Sequence, residues 1–280
     1  MATLVATPRS RALGFGLRAA RTARNLSLRQ LGRMIGVRAQ ELSHWEAGTR
    51  VPKVEQVALL LGALRVDPVE RKRLLEVASN AREPNWLERT VPGISPAVST
   101  YAEYERSATE MVNWEPFVVP GLLQTPGYAE AILAGHRLPP GVIEQQVAIR
   151  LQRREVLTQR DPLVLRLFLG EEAFRGRLAD PAVLAEQFRL LARAAQRRNI
   201  TIRVVPAGGG YHPGLYGHFV IFDFAQLPSV VHIEHIRGSA HVYDGDHVVA
   251  YRAAVEAMSA LALSEQESLA LIQGVIAELE

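Results

Sequence analysis

The 280-residue chain contains no cysteine. Disulfides and cysteine-ligated zinc are therefore excluded, and the composition suits a reducing compartment. Long apolar runs are missing too. None approaches the ~18 residues that span a bilayer. The opening MATLVATPRSRALGFGLR lacks a signal peptide's order of basic start and long apolar middle. Neither membrane insertion nor export is expected. Lysine is scarce: Lys53 and Lys72 are the only two in a basic set otherwise made of arginine. No nucleophile elbow, P-loop or Rossmann fingerprint lies in the strand–turn–helix setting that each needs. The chain is read as a non-enzyme with no cofactor and no bound metal.

What is present divides unevenly. Residues 1–82 carry 15 Arg and Lys against 6 Asp and Glu, a net of +9; the other 198 residues carry 17 against 23, a net of −6. A basic head on an acidic body is the electrostatic footprint of a polyanion-binding domain joined to something else. The length also favours two domains, at ~100–150 residues for a typical one. The patterning divides the chain into a tail (1–11), a head (12–82), a Pro- and Gly-rich linker (83–99) and a second domain (100–280). The expected fold class is a mainly α N-terminal domain of five helices followed by a larger α+β domain.

In the head, Leu13, Leu17 and Ala20 recur at helical spacing. Ser27 is the expected N-cap of a second helix, LRQLGRMI, which Gly36 ends. A third helix runs from about Arg38 to Ala47 and Gly48 closes it. A fourth follows Pro52 through VEQVALLLGAL. The fifth opens at Asp67-Pro68, with Asp67 as cap and Pro68 in the first helical position.

Residues 25–52, NLSLRQLGRMIGVRAQELSHWEAGTRVP, resemble the helix-turn-helix of the phage-repressor-like family, also called the xenobiotic-response-element family. Leu26, Ser27, Leu31, Gly36, Val37, Leu42, Ser43, Glu46, Gly48, Arg50 and Pro52 carry the resemblance. Two positions depart from it: Leu28 stands where the family usually has Gln, and Arg38 where it usually has Ser. The spacing has a physical basis. Leu31, Ile35, Val37, Leu42 and Trp45 can lock two short helices at a fixed angle, and Gly36 gives the turn its backbone freedom. The second of the two is then held clear of the core, where a major groove can receive it. Its exposed positions, Arg38, Ala39, Gln40, Ser43 and His44, are the candidate base readers. Arg29, Gln30, Arg50 and Lys53 are the candidate phosphate contacts. Glu46 and Trp45 are expected to be structural. Double-stranded DNA is thus the expected partner, and a nucleoid-associated cytoplasmic protein the expected setting. A homodimer follows from mechanism, because two heads on half-sites ~34 Å apart gain by linkage.

The second domain patterns as a helix near 100–114, an extended VVPGLLQT, a helix from Pro126 and a long helix near 140–159. LVLRLFL (163–169) is a strand. A helix capped by Asp180 follows, then ITIRVV, HFVIFDF and SVVHIEH as strands. Helices near 246–262 and 265–279 close the chain, the last with Ser264 and Glu267 as a capping box. The string MVNWEPFVVPGLLQTPGYAEAIL (111–133) resembles actinobacterial regulators in which such a helix-turn-helix precedes a C-terminal domain. VPGLLQTPGYA (119–129) is its most distinctive part. The resemblance implies a DNA-binding regulator that works with a small protein encoded beside it. It also implies a C-terminal domain that takes that partner, a ligand, or both.

Gly208–Gly210, with Tyr211 and His212 after them, are either a turn or a ligand cradle. Glu172, Arg203, Tyr211, His212 and Glu234 are the candidate ligand or partner pocket. His232, Glu234 and His235 look at first like metal ligands, but a strand turns the first two one way and the third the other. Glu171 and Glu172 fit the dipole of a helix start. Two alternatives to a regulator remain: an interaction protein controlled by a small partner, and a sensor or enzyme for a nucleotide-like ligand.

Overall fold

The computed structural model describes residues 8–81, 87–89, 96–136, 138–225, 227–235 and 238–280. In chain order the regular elements are α1 (Pro8–Thr22), α2 (Leu28–Ile35), α3 (Ala39–Glu46), α4 (Val54–Ala63), α5 (Pro68–Asn80), β1 (Leu87–Arg89), α6 (Pro96–Ser107) and β2 (Glu110–Glu115). Then come α7 (Pro126–Ala134), α8 (Pro140–Arg153), β3 (Val164–Gly170), α9 (Glu172–Arg175), α10 (Pro181–Ala194) and β4 (Ile200–Val205). The chain finishes with β5 (Phe219–Asp223), β6 (Val230–His235), β7 (Gly238–Val242), α11 (Gly245–Leu261) and α12 (Glu265–Leu279). Two compact units result. One comprises Met1–Ser107 with His235–His241, the other Ala108–Glu234 with Val242–Glu280. The fold class is the expected one: a helical head, then an α+β domain. Of the tail and linker read from the sequence, 1–7, 83–86 and 90–95 lie outside the described residues; residues 8–11 instead begin α1, 87–89 form β1 and 96–99 begin α6.

The first unit is built on leucine. Leu13, Leu17, Leu31, Leu42, Leu60, Leu61, Leu64 and Leu74 are all but fully buried, with Trp45 among them. Truncating such a residue costs ~2–5 kcal/mol. The caps sit where the sequence puts them. Ser27 Oγ accepts from the Gln30 N–H at 3.3 Å, and Gln30 Oε1 accepts from the Ser27 N–H at 2.8 Å. Gly36 stops α2 in the left-handed region at φ 70°. Asp67 caps α5 ahead of Pro68. Close packing is set by Gly14, where an added methyl carbon would lie 2.5 Å from the Glu46 carbonyl oxygen. Arg73 pairs with Glu70 of its own helix at 2.5 Å and joins α5 to α6 through Glu103 at 2.6 Å. β1 pairs antiparallel with β7, Glu88 opposite Ser239.

In the second unit, β2 is central. It runs parallel to β3 and antiparallel to β5, with β4 parallel beyond β3 and β6 antiparallel beyond β5. One face, with Val112, Trp114, Phe168, Phe219, Ile221 and Val231, packs on Val248, Val255 and Met258 of α11. Burial on both faces explains a correction. A helix near 100–114 is expected from the sequence, but the helix ends at Ser107 and Glu110–Glu115 is a strand. Met111, Val112, Asn113 and Trp114 are all buried, so the segment shows no alternation to betray a strand. The long helix near 140–159 likewise stops at Arg153 and tightens into a 3-10 turn, Arg154–Leu157. Asp180 holds the N-cap position of α10 without a side-chain capping bond.

Candidate functional site

In the first unit α3 is clamped from behind. Glu46 at its end is buried, and Arg21 of α1 grips it with Nε to Oε1 at 2.6 Å and Nη2 to Oε2 at 2.8 Å. The Arg21 Nη1 donates to the Leu26 carbonyl at 2.6 Å, reaching the chain just before α2. The bond to Glu46 holds the Arg21 guanidinium above its ordinary pKa. Trp45 and Leu42 anchor the same helix in the core. Both Glu46 and Trp45 are structural, as expected.

The other face of α3 carries the candidate readers. Arg38, Gln40 and Ser43 are exposed, and Ala39 and His44 half-buried. Arg38 takes the N-cap position without a side-chain capping bond, so its guanidinium is not engaged in the cap. His44 Nδ1 lies 3.2 Å from Thr49 Oγ1, which bears on which tautomer it presents. Arg29, Arg50 and Lys53 are exposed. Gln30 is exposed too, but its Oε1 is held by Ser27, which leaves only its amide N–H groups for a phosphate. Arg33 on α2 and Thr49 after α3 are further exposed polar residues of this region. The periodicity of α2 marks Arg33 as exposed; Thr49 has no such signal.

The structure does not bring the five candidate pocket residues of the second unit together. Arg203 donates to the carbonyls of Leu263 at 2.8 Å, Ser259 at 3.0 Å and Ala262 at 2.6 Å, capping the C-terminal end of α11. Tyr211 is exposed, and Tyr216 close by holds its hydroxyl above the ordinary pKa. His212 is buried edge-on to Trp114, with ring centroids 5.6 Å apart, and burial pulls its pKa down. Glu172 is exposed at the start of α9. Glu171 beside it accepts from the Ala207 N–H at 2.8 Å and pairs with Arg175. Only Glu234 enters a cluster.

That cluster crosses three strands. The register Trp114↔Phe219, continued one step, sets Glu115 opposite His218. The register Val220↔His232, continued two steps, sets His218 opposite Glu234. Accordingly His218 Nε2 accepts from the Glu234 N–H at 3.2 Å. Glu115 and Glu234 feel one another: burial and then the Glu234 charge push the Glu115 carboxyl up to about 8. Burial pulls His218 down, against the pull of Glu234. Two residues before Glu115, on the same face, Asn113 is buried, and neither its Oδ1 nor its Nδ2 has a hydrogen-bond partner of sound geometry. Glu115, His218 and Asn113 are not among the candidates read from the sequence. Their assembly depends on strand register between positions a hundred residues apart, which has no local signal.

The VPGLLQTPGYA stretch explains itself as architecture. Gln124 Nε2 donates to the Val119 carbonyl at 2.7 Å, and its Oε1 accepts from Arg150 Nη1 at 2.6 Å. Arg154 donates to the Gln124 carbonyl. The fully buried Gln187 of α10 accepts from the Thr125 N–H and donates to the Leu123 carbonyl, both at 2.7 Å. The Tyr128 hydroxyl accepts from the Val119 N–H at 3.2 Å. Nearly every polar group of this irregular loop is answered from inside the unit.

Among the described residues, no helix is long and apolar enough to cross a membrane, and no three His, Asp or Glu side chains are grouped to hold a metal ion. Residues 17–71 match the family model described as Helix-turn-helix, which supports a DNA-binding transcriptional regulator. Residues 98–274 match the model described as Domain of unknown function (DUF5753). The chain belongs to that family. Neither a curated protein nor a solved structure matches it.

Proposed function

We propose that the chain is a sequence-specific, non-enzymatic transcriptional regulator that binds operator DNA as a homodimer. On this reading α3 lies in the major groove. Arg38, Ala39, Gln40, Ser43 and His44 read bases, while Arg29, Gln30, Arg50 and Lys53 hold phosphates. The observation that carries the reading is the two-sided character of α3: Leu42, Trp45 and Glu46 buried behind, Arg38, Gln40 and Ser43 exposed in front. The +9 head supports it. The test is footprinting of the full chain on the DNA upstream of its own gene. A protected pair of half-sites about one helical turn apart is expected. Uniform protection of unrelated DNA at the same concentration would refute sequence specificity.

The second unit then regulates the head through a small partner protein, a ligand, or both. The exposed apolar tip of Tyr211, Leu215 and Tyr216 supports a protein partner. Co-purification of the full chain with the product of the neighbouring gene tests this. No complex at micromolar concentrations would leave the partner reading without support.

A further inference from the structure

The row Glu115–His218–Glu234 places two carboxyl groups within electrostatic reach of each other at one end of the central strands. Asn113 lies on the same strand face, 1% exposed, its amide N–H side turned to Glu115 and its Oδ1 without a partner. Neither feature helps the isolated domain, since burial and the Glu234 charge force a proton onto Glu115 and an unmet buried amide oxygen is destabilising. Both are answered by one kind of occupant. We infer that this unit binds a small organic cation, carrying a primary ammonium or guanidinium group, between Glu115, Glu234 and Asn113. Its N–H donors satisfy the two carboxylates and Asn113 Oδ1, and its charge lets both carboxyl groups ionise together. Within the row Glu234 is exposed, and Glu115 and His218 are half-buried.

The other ligand classes fit less well. A metal ion lacks a grouped ligand set among the described residues. A free anion meets two carboxyl groups. Arg150 is already held, its Nη1 on Gln124 Oε1, although its charge is felt by Glu234.

Proton linkage follows from the same geometry. Glu115 faces Glu234 on β6, His218 beside β5, Asn113 on its own strand and Tyr128 on α7, with Arg150 of α8 felt through Glu234. The carboxyl keeps its proton near neutrality, so a bound cation displaces it. Binding therefore releases up to one proton and tightens as pH rises toward about 8.

The full chain, without DNA, is titrated calorimetrically with methylammonium, putrescine, agmatine and guanidinium. The titrations are run near pH 6 and near pH 8, in buffers of differing ionisation enthalpy. At least one probe is expected to bind with Kd of ~1 mM or below, to raise Tm, and to bind roughly tenfold or more tightly at the higher pH. Glu115→Gln should abolish the proton release and weaken binding about tenfold. Glu234→Gln, at an exposed position, keeps the test valid if Glu115→Gln misfolds, and should also weaken binding. Arg166→Gln, opposite Val112 on the other face of the sheet from Asn113 and Glu115, should leave it unchanged. No heat and no Tm shift with any probe at ~10 mM overturns the inference, as does equal affinity in Glu234→Gln. Because no DNA is present, either outcome leaves the regulator reading to stand or fall on footprinting.

Discussion

Arg21 and Glu46 meet inside the head with two parallel N–H···O bonds, 2.6 and 2.8 Å long. The pair joins the first helix to the end of the helix that carries the candidate base readers. Bidentate geometry fixes angle as well as distance. The third bond, from Arg21 to the Leu26 carbonyl, brings the start of the helix-turn-helix into the same grip.

Arg21→Ala should therefore destabilise the head by ~3–5 kcal/mol, because it leaves the Glu46 charge buried and alone. Glu46→Gln keeps part of the hydrogen bonding and should cost less. The double variant Arg21→Met, Glu46→Leu should recover most of the loss. Urea unfolding of the four proteins measures all three steps. A double variant no more stable than Arg21→Ala would mean that the pair contributes more than mutual neutralisation.

Gln40→Ala and Arg50→Ala should fail in different ways. The first should relax discrimination at one base pair by ~1–3 kcal/mol while barely changing the salt dependence. The second should weaken binding to all sequences and reduce the slope of log K against log salt by about one. Competition gel shifts across a salt series distinguish them. Identical behaviour of the two variants would remove the division between readers and phosphate contacts.

Gln187→Leu should lower stability by ~2–5 kcal/mol, since the Thr125 N–H and Leu123 carbonyl each lose a buried partner. Gln187→Glu keeps an acceptor for Thr125 but loses the donor to Leu123, and should suffer as well. Thermal unfolding reads both. If either variant unfolds at the wild-type temperature, water or a neighbouring side chain can replace the amide.

Acid and base should strain different parts of the chain. His241 is buried against Tyr104, and burial pulls its pKa down to about 3. The unfolded ring titrates near 6.5, so the unfolded state binds the proton first. Stability is lost as pH falls from ~6.5 toward 3, at up to ~1.4 kcal/mol per pH unit. Glu115 acts with the opposite sign. Its folded pKa of about 8 lies above the unfolded value, so stability declines as pH rises from ~4.5 to 8 and is flat beyond. His241→Phe should flatten the acid limb, and Glu115→Gln the alkaline one. Tm measured across pH for the three proteins decides it; unaltered limbs would show that other groups govern them.

Much of the head is legible in the sequence because its determinants are local. Ser27 and Gln30 are three residues apart, Gly36 acts on its own backbone, and Asp67 caps the helix beginning at the next residue. Glu46 is legible as structural, but its partner Arg21 is not, because the pairing requires the packing of α1. In the second unit β3–β6 announce themselves through β-branched and aromatic runs. β2 does not, since a strand buried on both faces has no alternation and its partners lie 50 and more residues away. β7, GSAHV, is too short and mixed to signal itself at all. The Glu115 row is invisible for the same reason as β2: it exists only once the register does.

β7 carries one more consequence. His235–His241 belongs to the unit of the helix-turn-helix, and in it Ser239 and His241 are buried and Glu88 lies opposite Ser239. The head is therefore encoded in two stretches separated by more than 120 residues. A gene fragment that stops at residue 107 specifies an unfinished domain, whatever its helices look like. Recombination that swaps heads between such regulators at a single crossover would exchange most of one domain and strand a piece of it in the other. Viable hybrids should therefore carry both stretches from the same parent, and that joint inheritance is what sequence comparison within the family can look for.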